Sequence, residues 1–292
     1  MTRKIIALFS VLLLCASASS CLAWGDDALC FSQQELYASY NDQDHLKISV
    51  IRVDQSPKLV YFVCDIQVSS PQVLSTVFHN DRVFEAETDK QRQSRMEKTA
   101  ILETIAENHQ AVLAINCDFC GSHENGVIIR NGVLCRAKTT KKLDMLIIDS
   151  NGDFSLHYDR TGEDPKAFAQ QLLDRGVWQT IEFGPALVEN GATLPLDSKT
   201  HVVSTRSSQL EPRTGIGQVG PLHYVIIVAE GRRDGYSEGM SLQNFQQLFL
   251  DYGAQTAINL DGGGSTKIWF YNQIMNRPTS PTRQVSDALI FK

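Results

Sequence analysis

Asn-Gly dipeptides between short apolar segments are the feature that most restricts the fold of this chain. They occur at 131–132, 151–152 and 190–191, and residues typical of β-strands flank them. Asn and Gly tolerate the positive φ angles of tight hairpin turns, so each dipeptide predicts two neighbouring antiparallel strands. Several such hairpins in one chain predict an antiparallel sheet.

Further strands and a few helices are predicted between and around these hairpins. Helical spacing of apolar residues indicates an amphipathic helix over 88–108, and capping signals indicate helices over 165–175 and 241–251. The strongest additional strand segments, rich in β-branched residues, are 46–54, 59–68, 111–115 and 223–229. The sequence predicts an α+β fold in which a mixed, mostly antiparallel sheet with hairpins packs against a few helices.

A single domain over residues 30–292 is the simplest organisation, because no linker, repeat or low-complexity segment interrupts this range. Charged residues make up 21% and hydrophobic residues 42% of the chain, which excludes a disordered chain or a coiled coil. A net charge of −6 provides no broad basic surface, so nucleic acid is not an expected partner.

Residues 1–23 are predicted to be an export signal, because a basic start is followed by a short apolar segment and small residues. The apolar segment is shorter than the roughly 20 residues of a membrane-spanning helix. Cys21 occupies the position of a lipidated cysteine in a bacterial lipoprotein signal. The alternative is plain cleavage near Ala18 or Ala23. Either alternative predicts an exported protein of the periplasm or cell envelope, with a lipid anchor to the membrane only in the first.

Cysteines leave three interpretations open. Seven are present, and five follow residue 21, among them the C-x-x-C pair Cys117 and Cys120. They could be buried core residues or form a structural disulfide, act as a redox pair, or contribute to a zinc site. A zinc site lacks a second ligand pair at suitable spacing, so core packing or a disulfide is preferred and no metal or cofactor is predicted.

A strand that ends in three consecutive glycines is the most informative functional segment, over 258–266. Glycines without side chains allow a ligand to approach the backbone, and successive N–H groups can bind an anion. The alternative is a glycine-rich hairpin with an ordinary Asx turn. The candidate site residues in this segment are Asp261, Gly262, Gly263, Gly264, Ser265 and Thr266.

Two other segments carry candidate polar residues. Asn116 and Asp118 directly follow the apolar strand 111–115, where their side chains could line a site or cap a turn. Arg213 and Thr214 lie in the segment 212–217, in which glycines alternate with other residues. The planar guanidinium of an arginine can bind phosphate in a bidentate manner, and the alternative is a surface ion pair.

The order of these motifs resembles the phosphodiester glycosidase family over most of the chain beyond the export signal. Each motif alone is weak, but their succession in one order is specific. The resembling segments are 116–119, 126–132, 184–191, 212–217, 230–232, 239–242 and 259–266.

This resemblance implies an enzyme that hydrolyses a sugar-1-phosphodiester. The expected partner of the protein is a glycan phosphodiester substrate. Phosphate is a stable leaving group, so electrostatic capture of the anion should matter more than strong acid catalysis. Under this hypothesis Arg213 and the N–H groups of residues 262–264 hold the phosphate. Asp261 or Asp118 acts at the anomeric carbon, while Asn116 and Thr266 orient sugar hydroxyls.

Two alternatives from other functional classes are compatible with the same residues. A non-catalytic envelope protein could bind phosphorylated glycans through the same anion site. A divalent-metal phosphodiesterase would require a denser cluster of Asp and His than the sequence shows.

Overall fold

The computed structural model describes residues 32–43, 45–55, 58–122, 124–138, 143–158, 162–197 and 208–292. The predicted export signal and Cys21 therefore lie outside the described residues. Four helices are found: α1 (Asp89–Met96), α2 (Leu102–Asn108), α3 (Pro165–Asp174) and α4 (Leu242–Asp251). Twenty strands are found: β1 (Ser32–Asn41), β2 (Leu46–Gln55), β3 (Leu59–Val68), β4 (Leu74–Phe78), β5 (Ala100–Ile101), β6 (Leu113–Asn116), β7 (Gly126–Arg130), β8 (Val133–Lys138), β9 (Asp144–Ile148), β10 (Phe154–His157), β11 (Gln179–Phe183), β12 (Ala186–Glu189), β13 (Ala192–Thr193), β14 (Arg213–Gly220), β15 (His223–Ala229), β16 (Thr256–Asn259), β17 (Ile268–Phe270), β18 (Gln273–Ile274), β19 (Gln284–Val285) and β20 (Asp287–Phe291).

An eight-stranded sheet in the order β1-β2-β3-β15-β14-β16-β12-β13 is the largest layer. Its central strands are apolar on both faces because both faces are covered. In β3, Phe62 points into the main core, whereas the neighbouring Val63 packs on the opposite side against α4. This is the alternation expected of a strand, in which successive side chains point to opposite faces.

A second layer consists of a five-stranded sheet, β18-β17-β6-β20-β4, and a three-stranded sheet, β10-β9-β11. Ile115 of the former and Ile181 of the latter share the main core with the large sheet. The outer faces are covered by α2, through Ile105, and by α3, through Leu172. The layers thus run helix, sheet, sheet, helix.

The predicted α+β class is confirmed. The pairings described among these strands are antiparallel, and the strands are divided among several sheets. The predicted hairpin turn at 131–132 joins β7 to β8, with φ of 52° at Asn131 and 75° at Gly132. Helix α4 begins after Ser241, whose hydroxyl accepts a hydrogen bond from the N–H of Asn244 at 3.2 Å.

One helix expectation is wrong, because residues 88–108 form α1 and α2 with the strand β5 between them. Ala100 and Ile101 of β5 pair with β19, far along the chain, which requires extended backbone at this point. Ala100 and Val285 are buried in the same cluster as α2. Tertiary pairing therefore overrides the local helical periodicity.

The four cysteines of the described residues, Cys64, Cys117, Cys120 and Cys135, are unpaired and buried. Desolvation raises the pKa of each thiol, that of Cys135 to about 11. Buried thiols of raised pKa are poor nucleophiles, which favours the core-packing interpretation. Within the described ranges, no helix is both long and apolar enough to span a membrane.

Candidate active site

The triple-glycine turn follows β16 and packs against the start of β14. A Cβ at position 262 would lie 2.7 Å from the carbonyl oxygen of Pro212, so a side chain is excluded there. Gly263 has a φ of 59°, the left-handed region that favours glycine. The N–H of Gly262 donates to Asp261 Oδ1 (2.9 Å), and the N–H of Gly263 donates to the Pro212 carbonyl (2.9 Å). These two N–H groups are used within the protein and do not point to a ligand.

Asp261 begins this turn and keeps part of its surface exposed. Burial raises the pKa of its carboxyl above the ordinary value, and the negative charge of Asp118 adds to the increase. Hydrogen bonds from Ser265 and from the Gly262 N–H, together with the positive charge of Arg283, oppose the increase. A partly exposed carboxyl with a raised pKa is the type of group that can exchange protons with a substrate or with water.

Two arginine side chains approach the turn from other segments. Arg232 Nη2 lies 2.9 Å from the position that a Cβ would take on Gly263, and the side chain is 41% exposed. Its Nε donates to Glu211 Oε2, which fixes its orientation. Arg283 Nε donates to Ser265 Oγ at 3.3 Å. Two positive charges therefore lie at the glycine turn, Arg232 at Gly263 and Arg283 at Ser265.

Asn116, at the end of β6, is fully buried and connects three segments. Its Oδ1 accepts hydrogen bonds from Thr214 Oγ1 and from the N–H of Lys267, each at 3.1 Å. Its Nδ2 donates to the carbonyl oxygen of Asp261. Asn116 and Thr214 thus hold the backbone of Asp261 in place, and their side-chain groups are engaged with the protein.

Asp118 is buried two residues further along and bonds to Arg130. The Nη2 of Arg130 lies 3.0 Å and 3.1 Å from the two carboxylate oxygens of Asp118 and 3.1 Å from Asp287 Oδ2. The N–H groups of Cys120 and Glu182 also donate to Asp118. Both oxygens of this carboxylate are therefore bound within the protein.

The two carboxyls that share Arg130 differ in the direction of their pKa shifts. Burial acts against ionisation of Asp118, but Arg130 and the hydrogen bonds outweigh it and lower its pKa. For Asp287, burial and the neighbouring charge of Asp118 raise the pKa well above the ordinary value. Asp118 is therefore the more acidic of the two carboxyls that share the guanidinium.

Arg213 is buried at the first position of β14. Its Nε donates to the carbonyl of Met240 (2.9 Å) and its Nη2 donates to the carbonyl of Gln209 (3.0 Å). Burial lowers its pKa to about 10, so it is charged at neutral pH. Arg213 thus connects the segments on either side of the glycine turn rather than covering the turn as Arg232 does.

The last residues of the motif have different surroundings. A Cβ on Gly264 would approach Ser280 Oγ at 3.0 Å, so the segment around 280 covers this glycine. Ser265 is buried and contacts both Asp261 and Arg283. Thr266 Oγ1 is buried and has no hydrogen-bond partner among the residues that the structure describes.

The structure brings the three sequence-predicted segments together at one end of the two-sheet core. The N–H of Asp261 donates to the carbonyl of Cys117 (3.2 Å), and the N–H of Leu260 donates to that of Thr214 (2.8 Å). Arg232 was noticed in the sequence only as part of a motif. Arg283 and Asp287 were missed because nothing in their local sequence distinguishes them from surface residues.

A group with metal-ligand atoms also occurs here. The thiol of Cys117 and the carboxyls of Asp118 and Asp287 lie within 4.8 Å of one another. Arg130 already binds both carboxyls, and its positive charge repels a cation. The chemistry of this cluster therefore fits an internal ion pair better than a metal site.

Comparison with known proteins agrees with this arrangement. The sequence matches the family model described as phosphodiester glycosidase over residues 109–292. The chain belongs to the phosphodiester glycosidase family. The resemblance predicted from motif order is thereby confirmed, and membership of this family supports hydrolase activity at a coarse level. A comparison with curated proteins gives no match.

Solved structures show that this phosphodiester glycosidase family member shares its fold with distant proteins. The catalytic domain of zebrafish N-acetylglucosamine-1-phosphodiester alpha-N-acetylglucosaminidase, auto-inhibited by its pro-peptide, is similar with a TM-score of 0.67 and 15% identity, covering 89% of this chain and 87% of that chain. A hypothetical protein from Synechocystis is similar with a TM-score of 0.54 and 16% identity, covering 87% of this chain and 63% of that chain. At these identities the likeness concerns the fold alone.

Proposed function

We propose that this protein hydrolyses the glycosidic bond of a sugar-1-phosphodiester, such as an N-acetylglucosamine-1-phosphodiester. The observation that carries the proposal is the partly exposed Asp261, whose carboxyl has a raised pKa and begins a glycine turn that two arginines contact. Family membership and the activity for which the similar zebrafish protein is named support the same substrate class.

The phosphate group binds to Arg232 and Arg283 in this proposal. Both guanidinium groups lie at the turn, and guanidinium N–H groups match phosphate oxygens in charge and geometry. Arg213, expected from the sequence to bind phosphate, instead positions the backbone beneath the turn through its bonds to two carbonyls.

Asp261 acts at the anomeric carbon. As the bond from this carbon to the phosphate oxygen breaks, the ionised carboxylate stabilises the positive charge that develops on the sugar. A water oxygen bonds to the same carbon, and its proton passes to Asp261. The products are the free sugar and a phosphomonoester, whose negative charge the two arginines stabilise.

Asn116, Asp118 and Thr214 position Asp261 and the backbone around it. Asn116 fixes the carbonyl of Asp261, and Thr214 in turn donates to Asn116. Asp118 fixes the loop after β6 and, through its negative charge, contributes to the raised pKa of Asp261. Ser265 bonds to Asp261, and the buried hydroxyl of Thr266 has no hydrogen-bond partner among the described residues.

Export to the periplasm or cell envelope is part of this proposal and depends on residues 1–23. A glycan phosphodiester of the envelope would be accessible there. Lipidation at Cys21 is tested by mass spectrometry of the membrane fraction, where a Cys21→Ser variant should lose the lipid mass.

The test is hydrolysis of a methyl N-acetylglucosamine-1-phosphodiester by the purified protein in water enriched in ¹⁸O. We expect free sugar that carries the label, because the C–O bond breaks. An Asp261→Asn variant should lose at least about 100-fold in turnover, whereas an Asp174→Asn variant, changed on the exposed end of α3, should not.

The competing functions give different outcomes in this experiment. Label in the phosphate instead of the sugar, with loss of activity on adding a chelator, indicates a metal phosphodiesterase. Binding of the diester without any release of sugar indicates a glycan-binding protein. Either result refutes the proposed hydrolysis.

A further inference from the structure

Two phenylalanines lie at the same end of the core as Asp261. Phe119 follows β6, and Phe183 is the last residue of β11. Their ring centroids are 5.2 Å apart, and the rings are inclined at 82° in an edge-to-face contact. Both residues are only partly buried, although the residues that precede them, Asp118 and Glu182, are buried.

Main-chain hydrogen bonds connect both phenylalanines to the strand that carries Asp261. On one side, the Asp261 N–H donates to Cys117, two residues before Phe119. On the other side, Gly184, next to Phe183, exchanges bonds with Asn259: its N–H donates to the Asn259 carbonyl (3.1 Å), and its carbonyl accepts from Asn259 Nδ2 (2.8 Å). The aromatic pair is therefore fixed relative to Asp261.

Phe119 has a φ of 50°, an unfavourable conformation for a bulky residue. The turn around it is held by two hydrogen bonds: Asp118 accepts from the N–H of Cys120 (3.2 Å), and the carbonyl of Phe119 accepts from the N–H of Ser122 (2.9 Å). Strained residues are maintained where the surrounding structure over-determines them, and they concentrate at functional sites. The strain here keeps an aromatic ring partly exposed.

A polar acceptor accompanies the aromatic pair. Asn259 Nδ2 is bound to the carbonyl of Gly184, but Asn259 Oδ1 is buried and has no hydrogen-bond partner among the described residues. Binding sites for small molecules combine aromatic surfaces with a few polar groups that fix orientation. An aromatic pair with an unpartnered acceptor beside it has this composition.

We propose that Phe119 and Phe183 form the wall of the sugar subsite and pack against the C–H face of a pyranose ring, while the phosphate lies on the arginine side of Asp261. This inference rests on the proposed function and adds to it the residues that select the sugar. A pyranose is apolar on its C–H faces and polar at its edges, so it matches an aromatic surface with an acceptor at its border.

The test separates sugar binding from phosphate binding in the full-length protein. The probes are free N-acetylglucosamine and inorganic phosphate, each titrated by NMR against wild type, Phe119→Leu and Phe183→Leu. An aromatic contact contributes about 0.5–1.5 kcal/mol, so each variant should bind the sugar about 2- to 13-fold more weakly. Phosphate affinity should stay within about 2-fold of wild type, since the arginines are unchanged.

Two controls distinguish a specific contact of Phe119 and Phe183 with the sugar from a general effect of removing an aromatic ring. Phe84→Leu makes the same change at a residue that is 41% exposed and packs beside Phe78, and it should leave sugar affinity unchanged. Phe183→Tyr keeps the ring and should retain sugar affinity. In wild-type protein, nuclear Overhauser contacts between sugar C–H protons and labelled phenylalanine rings report the wall directly, even if a leucine variant does not fold.

The proposal is overturned if both leucine variants bind the sugar as wild type does, or if these ring contacts are absent under saturating sugar. Failure of the proposed hydrolysis has a different signature. In that case the wild type binds sugar and phosphate, and the ring contacts are present, but the diester is not cleaved.

Discussion

The buried arginine between two carboxyls gives the most quantitative prediction for this protein. Arg130 Nη2 donates to Asp118 and Asp287, its Nη1 donates to the carbonyl of Thr180, and the side chain is fully buried. An Arg130→Met variant removes the cation and all of these bonds, while the two carboxyls stay in an apolar environment. Breaking a buried ion pair in this way costs about 3–5 kcal/mol of unfolding free energy.

Replacement of the two carboxyls should have unequal effects. Burial and the charge of Asp118 raise the pKa of Asp287 well above the ordinary value, and an Asp287→Asn variant keeps the shape of a neutral carboxyl. Its loss should stay within about 1 kcal/mol. Asp118 is ionised and accepts hydrogen bonds from Cys120 and Glu182, so Asp118→Asn loses an acceptor and should cost about 1–3 kcal/mol.

Urea unfolding at neutral pH, followed by circular dichroism, measures these differences. With a slope of about 3 kcal/mol per molar urea, the Arg130→Met loss lowers the midpoint by about 1–1.7 M. An Arg82→Met variant is the matched control, because Arg82 forms an exposed ion pair with Glu85 and should change stability by less than about 1 kcal/mol. If Arg130→Met unfolds at the wild-type midpoint, or Asp287→Asn is less stable than Asp118→Asn, the reasoning about this ion-pair cluster is wrong.

The pH dependence gives an independent check of the same cluster. A carboxyl with a raised folded-state pKa stabilises the protein at low pH, and this contribution decreases as the pH rises above the ordinary value of 3.8. Asp287→Asn removes this dependence. The variant should therefore gain stability relative to wild type as the pH is increased from about 4 towards the raised pKa, and a constant difference over this range would contradict the reasoning.

Three further predictions concern the candidate active site. In the proposed mechanism Asp261 acts when ionised, and its pKa is raised, so turnover should fall on the acid side with a midpoint above pH 3.8. Asp118→Asn should move this midpoint lower by removing a neighbouring negative charge, and pH–rate profiles of the two proteins measure the shift. Arg232→Gln should weaken binding of inorganic phosphate about 10-fold or more in NMR titrations, whereas Arg82→Gln should not. Asn116→Ala removes the bond that positions Asp261, so it should lower the unfolding free energy by about 1–3 kcal/mol in urea unfolding and also reduce turnover. Unchanged stability and turnover would exclude this positioning role.

The sequence alone allowed prediction of the class of fold and most of its elements. Hairpins at Asn-Gly turns depend on backbone angles that these two residues adopt locally. The apolar composition of the segments that form β3 and β15 predicts that both strands are buried. The helix expected over 88–108 failed because the pairing of β5 with β19 is a contact between distant segments. Local periodicity does not report such contacts.

In the candidate site, too, local features could be predicted from the sequence and contacts between distant segments could not. Consecutive glycines after a buried strand identified the turn at 262–264 and the preceding Asp261. Glycine has no side chain, so the residue type alone indicates that another group can approach the backbone closely. The sequence also indicated Arg213, but only the tertiary structure shows its N–H groups bound to carbonyls and Arg232 and Arg283 in contact with the turn. Which arginine lies near Asp261 depends on where distant loops fold back. The opposite pKa shifts of Asp118 and Asp287 also depend on the tertiary structure, because burial and neighbouring charge exist only once the chain has packed.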